Sequence, residues 1–211
     1  MKIIQFEQSG LIIENNSGYK LAIDIGHYTP IEKLNGISVD VMLVSHIHKD
    51  HFSPEHIKKL SPKKLYLSRE CIESLGEERL SSELIEVESG DSININGIKV
   101  LLFDVDHGPN VKVPLKANLG FLMEIDDKKI YYAGEMFNPS GIDVTSLEVD
   151  VAVIPVGGFY TFGPQEAVAF VKKFRKIGKI IPMHYQKTPE TREDFIRLAV
   201  DSGFNTYSFC I

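Results

Sequence analysis

The chain has 211 residues, 43% of them hydrophobic and 25% charged, and this composition predicts a single folded domain, residues 1–211, rather than a disordered protein. Its formal net charge of -6 excludes the overall basic character that is typical of nucleic-acid-binding domains. No apolar stretch approaches the roughly 18 residues of a membrane span, and Gln5, Glu7 and Gln8 interrupt the apolar run that a signal peptide needs, so we expect a cytoplasmic protein without a membrane partner.

The first third of the chain predicts short strands joined by turns. The predicted strands are Lys2 to Phe6, Leu11 to Glu14, Tyr19 to Ile25 and Val39 to Val44. Within the last of them the run Val41 to Val44 is continuously apolar, which is typical of a strand buried on both faces. Ser53, Pro54 and Glu55 then provide an N-cap, a first-position proline and a first-turn acid. A short helix is therefore expected to begin there and to end at Ser61-Pro62.

The middle of the chain is again rich in strands, whereas the last third predicts alternating strands and helices. Asn96-Gly97 is a hairpin turn signal. The predicted middle strands are Ser92 to Asn94, Ile98 to Val105, Leu119 to Ile125 and Lys129 to Ala133. The predicted later elements are strand Val151 to Val156, helix Pro164 to Lys176, strand Lys179 to Met183, helix Pro189 to Asp201 and strand Thr206 to Cys210. This order favours an α/β fold of two facing sheets covered by helices.

Histidines and carboxylates gather at the ends of the predicted strands. They are His46, His48, Asp50 and His51 after the strand Val39 to Val44, His107 after Ile98 to Val105, Glu135 after Lys129 to Ala133, and His184 after Lys179 to Met183. Ligand sites in such sheets form at strand ends, because the strands hold converging side chains rigidly. The pattern therefore predicts one site built from all seven residues.

The types and spacing of these residues indicate a site for metal ions. His46 and His48 point to the same side of an extended segment, so both imidazoles can bind one cation. Asp50 and His51 follow where the chain turns, which lets them face a second cation close by. Imidazole and carboxylate ligands suit zinc, manganese or iron, and the absence of thiolates favours an open, hydrolytic site over a closed structural one.

The segment "SHIHKDH" resembles the H-x-H-x-D-H motif of the metallo-β-lactamase superfamily, and the later histidines and carboxylate follow in the order of that family. The resemblance extends over nearly the whole chain and implies a metallo-β-lactamase αββα four-layer sandwich. "GKIIPMHY" is similar to the C-terminal histidine segment of a small bacterial branch that includes ascorbate-phosphate lactonase.

The resemblance also implies a division of the ligands between two divalent metal ions, which are expected to be zinc, with manganese or iron as alternatives. The first metal would be bound by His46, His48 and His107, and the second by Asp50, His51 and His184. Glu135 would take the place of the bridging carboxylate, where the family usually has aspartate. Because glutamate is one methylene longer, Glu135 bridges both metals after a backbone shift, binds only one, or hydrogen-bonds a ligand instead.

The function implied by the resemblance is that of a metal-dependent hydrolase, in which a metal-bound hydroxide attacks a small ester, lactone or phosphate ester. Asp50 is the candidate catalytic residue, as a proton acceptor. The alternatives are a phosphodiesterase or nuclease of the same fold and a non-catalytic metal-binding scaffold or sensor with a site degraded by Glu135. A redox role is disfavoured, because the redox branch has glutamate where this chain has His48. We expect a small-molecule substrate, and a homo-oligomer stays open.

Several other residues have open or structural interpretations. Asp24 resembles the family's ligand-orienting aspartate but is equally typical of a solvent-facing acid at a strand end. His27 lies at a strand end without an assigned role, and His56 is interpreted as a surface residue of the first helix. The segment Gly157 to Gly163 predicts either a loop that brings Tyr160 and Thr161 to the site or a turn with Phe159 and Phe162 in the core. Two isolated thiols, Cys71 and Cys210, are interpreted as buried or incidental.

Overall fold

The computed structural model describes residues 1–108, 115–139 and 141–207. Within them the chain forms two compact units. The first comprises residues 1–88 together with 115–117, and the second comprises residues 89–108, 118–139 and 141–207. Cys210 and most of the strand predicted at Thr206 to Cys210 lie outside the described residues.

The first unit contains one six-stranded mixed sheet. Its strands are β1 (Lys2–Gln5), β2 (Leu11–Glu14), β3 (Lys20–Ile23), β4 (Val41–Leu43), β5 (Lys64–Leu67) and β6 (Glu83–Glu86), and they lie in this order across the sheet. The pairs β1/β2 and β2/β3 are antiparallel, whereas β3, β4, β5 and β6 pair in parallel. A 3-10 turn covers Ile31–Leu34. Strands β5 and β6 were not predicted from the sequence.

Two helices of the first unit connect its parallel strands. They are α1 (Pro54–Leu60) and α2 (Arg69–Leu75). Helix α1 begins at the predicted N-cap Ser53 and ends at Ser61, whose left-handed backbone and following proline stop the helix. Helix α2 was missed, although Ser68 caps it by accepting a hydrogen bond from the Cys71 amide. The thiol of Cys71 is buried in the apolar core of this unit, as predicted.

The second unit contains a mixed sheet in the order β11-β8-β9-β10-β12-β13, with β7 added beside β8. Its strands are β7 (Ser92–Ile95), β8 (Ile98–Asp106), β9 (Leu119–Ile125), β10 (Lys128–Tyr132), β11 (Asn138–Pro139), β12 (Glu148–Pro155) and β13 (Lys176–Met183). The hairpins β7/β8, β8/β9 and β9/β10 are antiparallel, and β10/β12 and β12/β13 are parallel. A 3-10 turn covers Val144–Ser146.

The helices of the second unit are α3 (Pro164–Val171) and α4 (Pro189–Asp201). Helix α3 is shorter than predicted, because the chain leaves it at Val171 and already enters β13 at Lys176. The apolar residues of this segment are nevertheless buried, namely Ala167, Phe170, Val171 and Phe174. The ring of Phe174 meets Tyr131 edge to face with 5.1 Å between centroids. Among the described residues, no helix is both long and apolar enough to cross a bilayer.

Candidate metal centre

The direction of the strands in the first unit brings three connections to one edge of its sheet. Strand β1 is antiparallel to β2, which is antiparallel to β3, and β4 runs parallel to β3. The carboxyl ends of β1, β3 and β4 therefore lie at the same edge. The turn after β1 carries Gln8 and Ser9, the connection after β3 carries Asp24, and the connection after β4 carries the histidine motif.

Within this unit the four motif residues lie close together. The rings of His46 and His48 meet edge to face with 4.7 Å between centroids, and the rings of His46 and His51 are 4.1 Å apart. Metal-ligating atoms of His46 and His48 lie within 4.8 Å of one another, as do those of Asp50 and His51. The predicted local cluster is thus present, and its histidines His46 and His51 are fully buried.

Asp24 lies behind the motif and orients His51. Its carboxylate is fully buried, accepts hydrogen bonds from the Ser45 amide at 2.7 Å and from the Ser45 hydroxyl, and lies 2.8 Å from His51 Nδ1. The interpretation of Asp24 as a solvent-facing acid is therefore wrong. Burial alone would raise the pKa of Asp24, but attraction to His51, with smaller contributions from His46 and Ser45, outweighs burial and lowers the pKa. Because the Asp24 carboxylate contacts Nδ1 of His51, Nε2 is directed away from Asp24. This is the arrangement in which a histidine binds a metal through one ring nitrogen while a carboxylate orients the other.

Residues that the sequence did not single out also contact the motif. Gln8 donates a side-chain hydrogen bond to Asp50 Oδ2 at 3.0 Å, and Ser9 Oγ lies 3.4 Å from His51 Nε2. Ser45 Oγ lies 2.9 Å from His46 Nδ1. Ser45 lies between a buried strand and His46 in the sequence, and this position could have indicated that it contacts the site. Nothing in the turn sequence "EQSG" indicates that the turn lies close to Asp50.

Strand direction likewise gathers the connections of the second unit. Strands β8 and β10 are each antiparallel to β9, and β12 and β13 run parallel to β10, so the carboxyl ends of all four lie at one edge. His107 follows β8, Glu135 follows β10 and His184 follows β13. Residues that are far apart in sequence thereby lie side by side.

Glu135 is buried between two histidines of this unit. Its Oε2 lies 2.8 Å from His107 Nε2, and its Oε1 lies 3.0 Å from His184 Nε2. The side chain of Glu135 is only 4% exposed, which is unusual for a charged residue without partners. Each carboxylate oxygen faces a different imidazole. Asn118 supports the segment by donating its amide to the Glu135 carbonyl at 2.9 Å.

The backbone around His184 is constrained. His184 has a left-handed φ of 62°, which costs free energy for a residue with a Cβ. Gly157 packs against it so closely that a Cβ at this glycine would lie 1.9 Å from the His184 carbonyl oxygen. Only glycine permits this approach between the connection after β12 and His184.

The loop after β12 exposes aromatic side chains beside His107. Phe159 is 65% exposed despite a left-handed φ of 58°, and its ring meets Tyr160 edge to face at 4.6 Å. The Tyr160 ring lies 6.2 Å from the His107 ring, while Thr161 is buried. Placement of Phe159 in the core is therefore wrong, whereas Phe162 is buried against Phe170 in the core.

The two remaining histidines of the first unit have different surroundings. His27 is exposed, and its amide donates to the Lys49 carbonyl at 2.9 Å. The prediction of His56 as a surface residue is wrong, because only 4% of it is exposed. Its Nε2 lies 2.8 Å from the Thr29 carbonyl oxygen and its Nδ1 lies 2.8 Å from Ser53 Oγ, so His56 ties helix α1 to the connection after β3.

The separations around Glu135 fit metal coordination. Two ligand atoms bound to one zinc ion at about 2.0–2.2 Å, at angles between 90° and the tetrahedral value, lie about 2.8–3.6 Å apart. The 2.8 Å and 3.0 Å separations around Glu135 agree with this range. Imidazole nitrogen and carboxylate oxygen are also donors that zinc, manganese and iron accept. The residues present therefore fit a divalent metal.

Comparison with known proteins identifies the family. Residues 2–184 match the model of the beta-lactamase superfamily domain, and the chain belongs to this family. A UPF0173 metal-dependent hydrolase from Korarchaeum cryptofilum is 33% identical over 163 residues, which cover 75% of this chain and 69% of the relative. These matches confirm the predicted superfamily and support the class of metal-dependent hydrolase.

Solved structures confirm the fold class. A metallo hydrolase from the hyperthermophilic archaeon Ignicoccus hospitalis superposes with a TM-score of 0.76 at 20% identity, covering 98% of this chain and 93% of that one. The metallo-β-lactamase fold protein YhfI from Bacillus subtilis gives a TM-score of 0.70 at 15% identity, covering 96% and 88%. The chain therefore has the metallo-β-lactamase fold that its histidine motif predicted.

Proposed function

We propose that the protein is a hydrolase that binds two divalent cations, zinc in the first place with manganese or iron as alternatives, and cleaves a small ester, lactone or phosphate ester. The contact of Glu135 with both His107 and His184 carries this proposal, because one carboxylate with an imidazole at each oxygen is suited to two metals. Bound metal would supply an acidified water as nucleophile and would stabilise negative charge on the substrate.

The proposed ligand sets follow the motif order of the family. One cation is assigned to His46, His48 and His107, the other to Asp50, His51 and His184, and Glu135 is shared between them. The assignment of the first-unit ligands is supported by two contacts to their Nδ1 atoms: Asp24 contacts His51, and Ser45 contacts His46. Asp50 is the proposed proton acceptor and hence the catalytic residue.

The exposed aromatic loop favours a substrate with an apolar group. Phe159 keeps its ring in solvent at the expense of a left-handed backbone, and Tyr160 extends the same surface to within 6.2 Å of the His107 ring. Strain of this kind is retained where a function requires it. We therefore favour an ester or lactone with an apolar acyl or aryl part over a purely polar sugar phosphate.

The distribution of surface charge does not favour the nuclease alternative. Several basic surface residues are paired with acids: Lys58 with Glu78, Lys63 with Asp40 at 3.7 Å, Lys64 with Glu83 at 3.6 Å and Arg175 with Glu148 at 3.0 Å. Paired surface charges of this kind do not make the basic face that a nucleic acid needs. A small-molecule substrate, a cytoplasmic location and an open choice between monomer and homo-oligomer remain part of the proposal.

The test measures metal content and hydrolysis on the same samples. Protein stripped with a chelator is reconstituted separately with zinc, manganese and iron(II), its metal is counted by mass spectrometry, and phenyl esters, aliphatic lactones and bis-(p-nitrophenyl) phosphate are assayed. Wild type should bind close to two metals per chain and hydrolyse at least one carboxylic ester or lactone. Glu135→Gln should weaken metal binding by at least roughly 10- to 100-fold.

Glu124→Gln is the matched control for this experiment. Glu124 is an exposed glutamate of β9 that pairs with Lys99 at 3.2 Å, so its loss should leave both metal content and turnover unchanged. The enzymatic function would be contradicted if wild type bound one metal and did not hydrolyse any substrate, while Glu135→Asp bound a second metal and gained hydrolysis. That result would support the non-catalytic scaffold. Turnover confined to the phosphodiester would instead support the phosphodiesterase alternative.

A further inference from the structure

The turn between β1 and β2 contacts the metal-ligand motif with two side chains. Gln8 Nε2 donates a hydrogen bond to Asp50 Oδ2 at 3.0 Å, and Ser9 Oγ lies 3.4 Å from His51 Nε2. The first of these is a hydrogen bond to a carboxylate, which is stronger than one between neutral groups. Gln8 therefore contacts the residue that the proposed function makes both ligand and proton acceptor.

Gln8 is an unfavourable choice for this position by ordinary turn chemistry. Its φ is +60°, a left-handed conformation that glycine adopts freely and that costs free energy for an L-residue. Only 3% of the residue is exposed, and burial of an amide is costly unless its hydrogen bonds are made. Among residues 1–108, 115–139 and 141–207, no protein atom hydrogen-bonds the side-chain oxygen Oε1.

The backbone of the turn leaves this side chain little freedom. The Phe6 amide donates to the Gly10 carbonyl at 2.8 Å, and the Gly10 amide donates to the Glu7 carbonyl at 3.2 Å, so the turn is closed on both sides of Gln8. A Cβ at Gly10 would lie 3.0 Å from Phe6 Cβ and 3.3 Å from Ile25 Cγ1, which fixes the turn against the connection after β3. The backbone that carries Gln8 is thus closed by hydrogen bonds and packed against its neighbours, and the side-chain amide contacts Asp50.

We infer that Gln8 is a positioning residue for Asp50: its hydrogen bond fixes the rotation of the Asp50 carboxylate so that the carboxylate can bind a cation. A left-handed backbone and a buried amide at one residue are unfavourable, and such features are expected where function requires them. The hydrogen bond from Gln8 acts on Asp50 from the turn after β1, whereas Asp24 acts on His51 from the connection after β3. This inference rests on the proposed function, because it needs Asp50 to be a metal ligand.

The test compares zinc dissociation constants by titration against a chromophoric chelator in wild type, Gln8→Met and Gln8→Asn. Methionine keeps the length and volume of glutamine without the N–H donor. Asparagine tolerates the left-handed backbone and keeps an amide, but it is shorter by about 1.5 Å, one C–C bond, and cannot reach Asp50. Both variants should weaken one of the two zinc sites about 10- to 100-fold and leave the other unchanged.

Thermal unfolding of the metal-free proteins separates positioning from structural support. The apo forms of Gln8→Met and Gln8→Asn should unfold within a few degrees of wild type, because the lost hydrogen bond is offset by removal of a buried polar group or by relief of strain. Asn96→Met is the matched control, since Asn96 also has a left-handed φ of 50° in a β-turn but is exposed in the second unit. It should bind zinc as wild type does.

The outcomes distinguish this inference from the function on which it rests. Two tight zinc sites in wild type and unchanged sites in both Gln8 variants would overturn the role of Gln8 and leave the proposed function intact. Equal weakening of both sites together with a large loss of apo stability would show that Gln8 only supports the fold, and would also overturn the inference. A wild type that binds none of zinc, manganese and iron(II) tightly would overturn the proposed function, and the inference with it.

Discussion

The ligand groups of the two units are built in different ways. In the first unit the histidines and aspartate lie within one short connection, and separate residues behind them, Asp24, Ser45 and Gln8, hold them by hydrogen bonds. In the second unit the three residues come from three strand ends, and they contact one another directly through Glu135. The first group thus depends on its supporting hydrogen bonds, whereas the second depends on the register of its sheet.

Backbone strain follows the same division. Gln8 and Asp24 are left-handed in the first unit and are supporting residues, whereas the left-handed residue His184 of the second unit is itself a proposed ligand. At Gln8 and Asp24 the strained backbone therefore belongs to hydrogen-bond partners of proposed ligands, whereas at His184 it belongs to a proposed ligand itself. The following predictions use this difference, beginning with the largest expected effect.

Removal of Asp24 should affect the first unit most severely. Asp24→Ala removes the carboxylate that faces His51 and Ser45, and loss of one partner of a buried pair costs about 3–5 kcal/mol in the free energy of unfolding. Urea denaturation of the metal-free protein measures this cost. Asp143→Ala, which removes an exposed cap of a 3-10 turn, should cost about 1 kcal/mol or less. Similar costs for the two variants would show that Asp24 does not support the motif.

Gly26→Ala and Gly157→Ala test close backbone approaches, one in each unit. A Cβ would lie 2.2 Å from the Asp50 carbonyl carbon in the first variant and 1.9 Å from the His184 carbonyl oxygen in the second. Each should cost up to about 3 kcal/mol by overpacking and should weaken metal binding, because a proposed ligand is displaced. Zinc titration and urea denaturation measure both effects.

Gly163→Ala is the control for these glycines. Its Cβ would meet only the end of the flexible Glu166 side chain at 2.8 Å, which can move aside, so neither stability nor zinc binding should change much. If Gly26→Ala weakened zinc binding and Gly157→Ala did not, His184 would not need its constrained backbone, and the contrast drawn between the two units would fail.

His56 should prove structural rather than catalytic. His56→Ala leaves the Thr29 carbonyl and the Ser53 hydroxyl without this partner, and a lost buried hydrogen-bond partner costs about 1–3 kcal/mol. Zinc affinity and the metal count should nevertheless remain those of wild type. Lys59→Ala on the exposed face of the same helix is the control and should change neither quantity. A lower metal count in His56→Ala would place His56 among the ligands.

Alkaline pH should destabilise the first unit through a buried thiol. Burial raises the pKa of Cys71 from 9.0 to about 12, so the folded state keeps a proton that the unfolded state loses. The stabilising contribution is complete below pH 9, and the free energy of unfolding then falls by about 1.4 kcal/mol per pH unit up to about pH 12. Urea denaturation at pH 8 and pH 10 measures it.

Cys71→Ala provides the comparison for this pH dependence. Without the thiol, the fall in the free energy of unfolding between pH 8 and pH 10 should be smaller by about 1.4 kcal/mol, even though the variant is less stable at both pH values. An identical fall in both proteins would show that Cys71 does not stay protonated in the fold. The buried Tyr131 of the second unit also has a raised pKa, but its proton is lost from the unfolded state only at higher pH.

The sequence was most informative where the pattern is local. The motif from His46 to His51, the hairpin turn at Asn96-Gly97 and the start of helix α1 after Ser53 each depend on neighbouring residues, and each appears in the structure at the predicted position, although the Ser53 side chain makes no capping hydrogen bond. Strand β5, helix α2 and strand β6 were missed, because they are short and carry mixed polar and apolar residues. The two strands are stabilised by pairing with the sheet, β5 with β4 and β6 with β5, and α2 connects them.

Supporting residues were the least predictable part of the site. Gln8, Ser9 and the buried His56 carry no local signal, since their roles come from contacts with residues distant in the chain. For Asp24 the sequence offered two interpretations of equal weight, and burial beside His51 chose between them.

By itself the sequence determined the family, the strand ends at which the chemistry lies and the donor types, imidazole and carboxylate, because these follow from local patterns and from a motif with a defined spacing. Tertiary structure alone decided that Glu135 lies between His107 and His184 and that Gln8 donates to Asp50. Strand direction and register determine which chain ends meet at a sheet edge, and hydrogen bonds between distant segments cannot be read from the residues on either side of them.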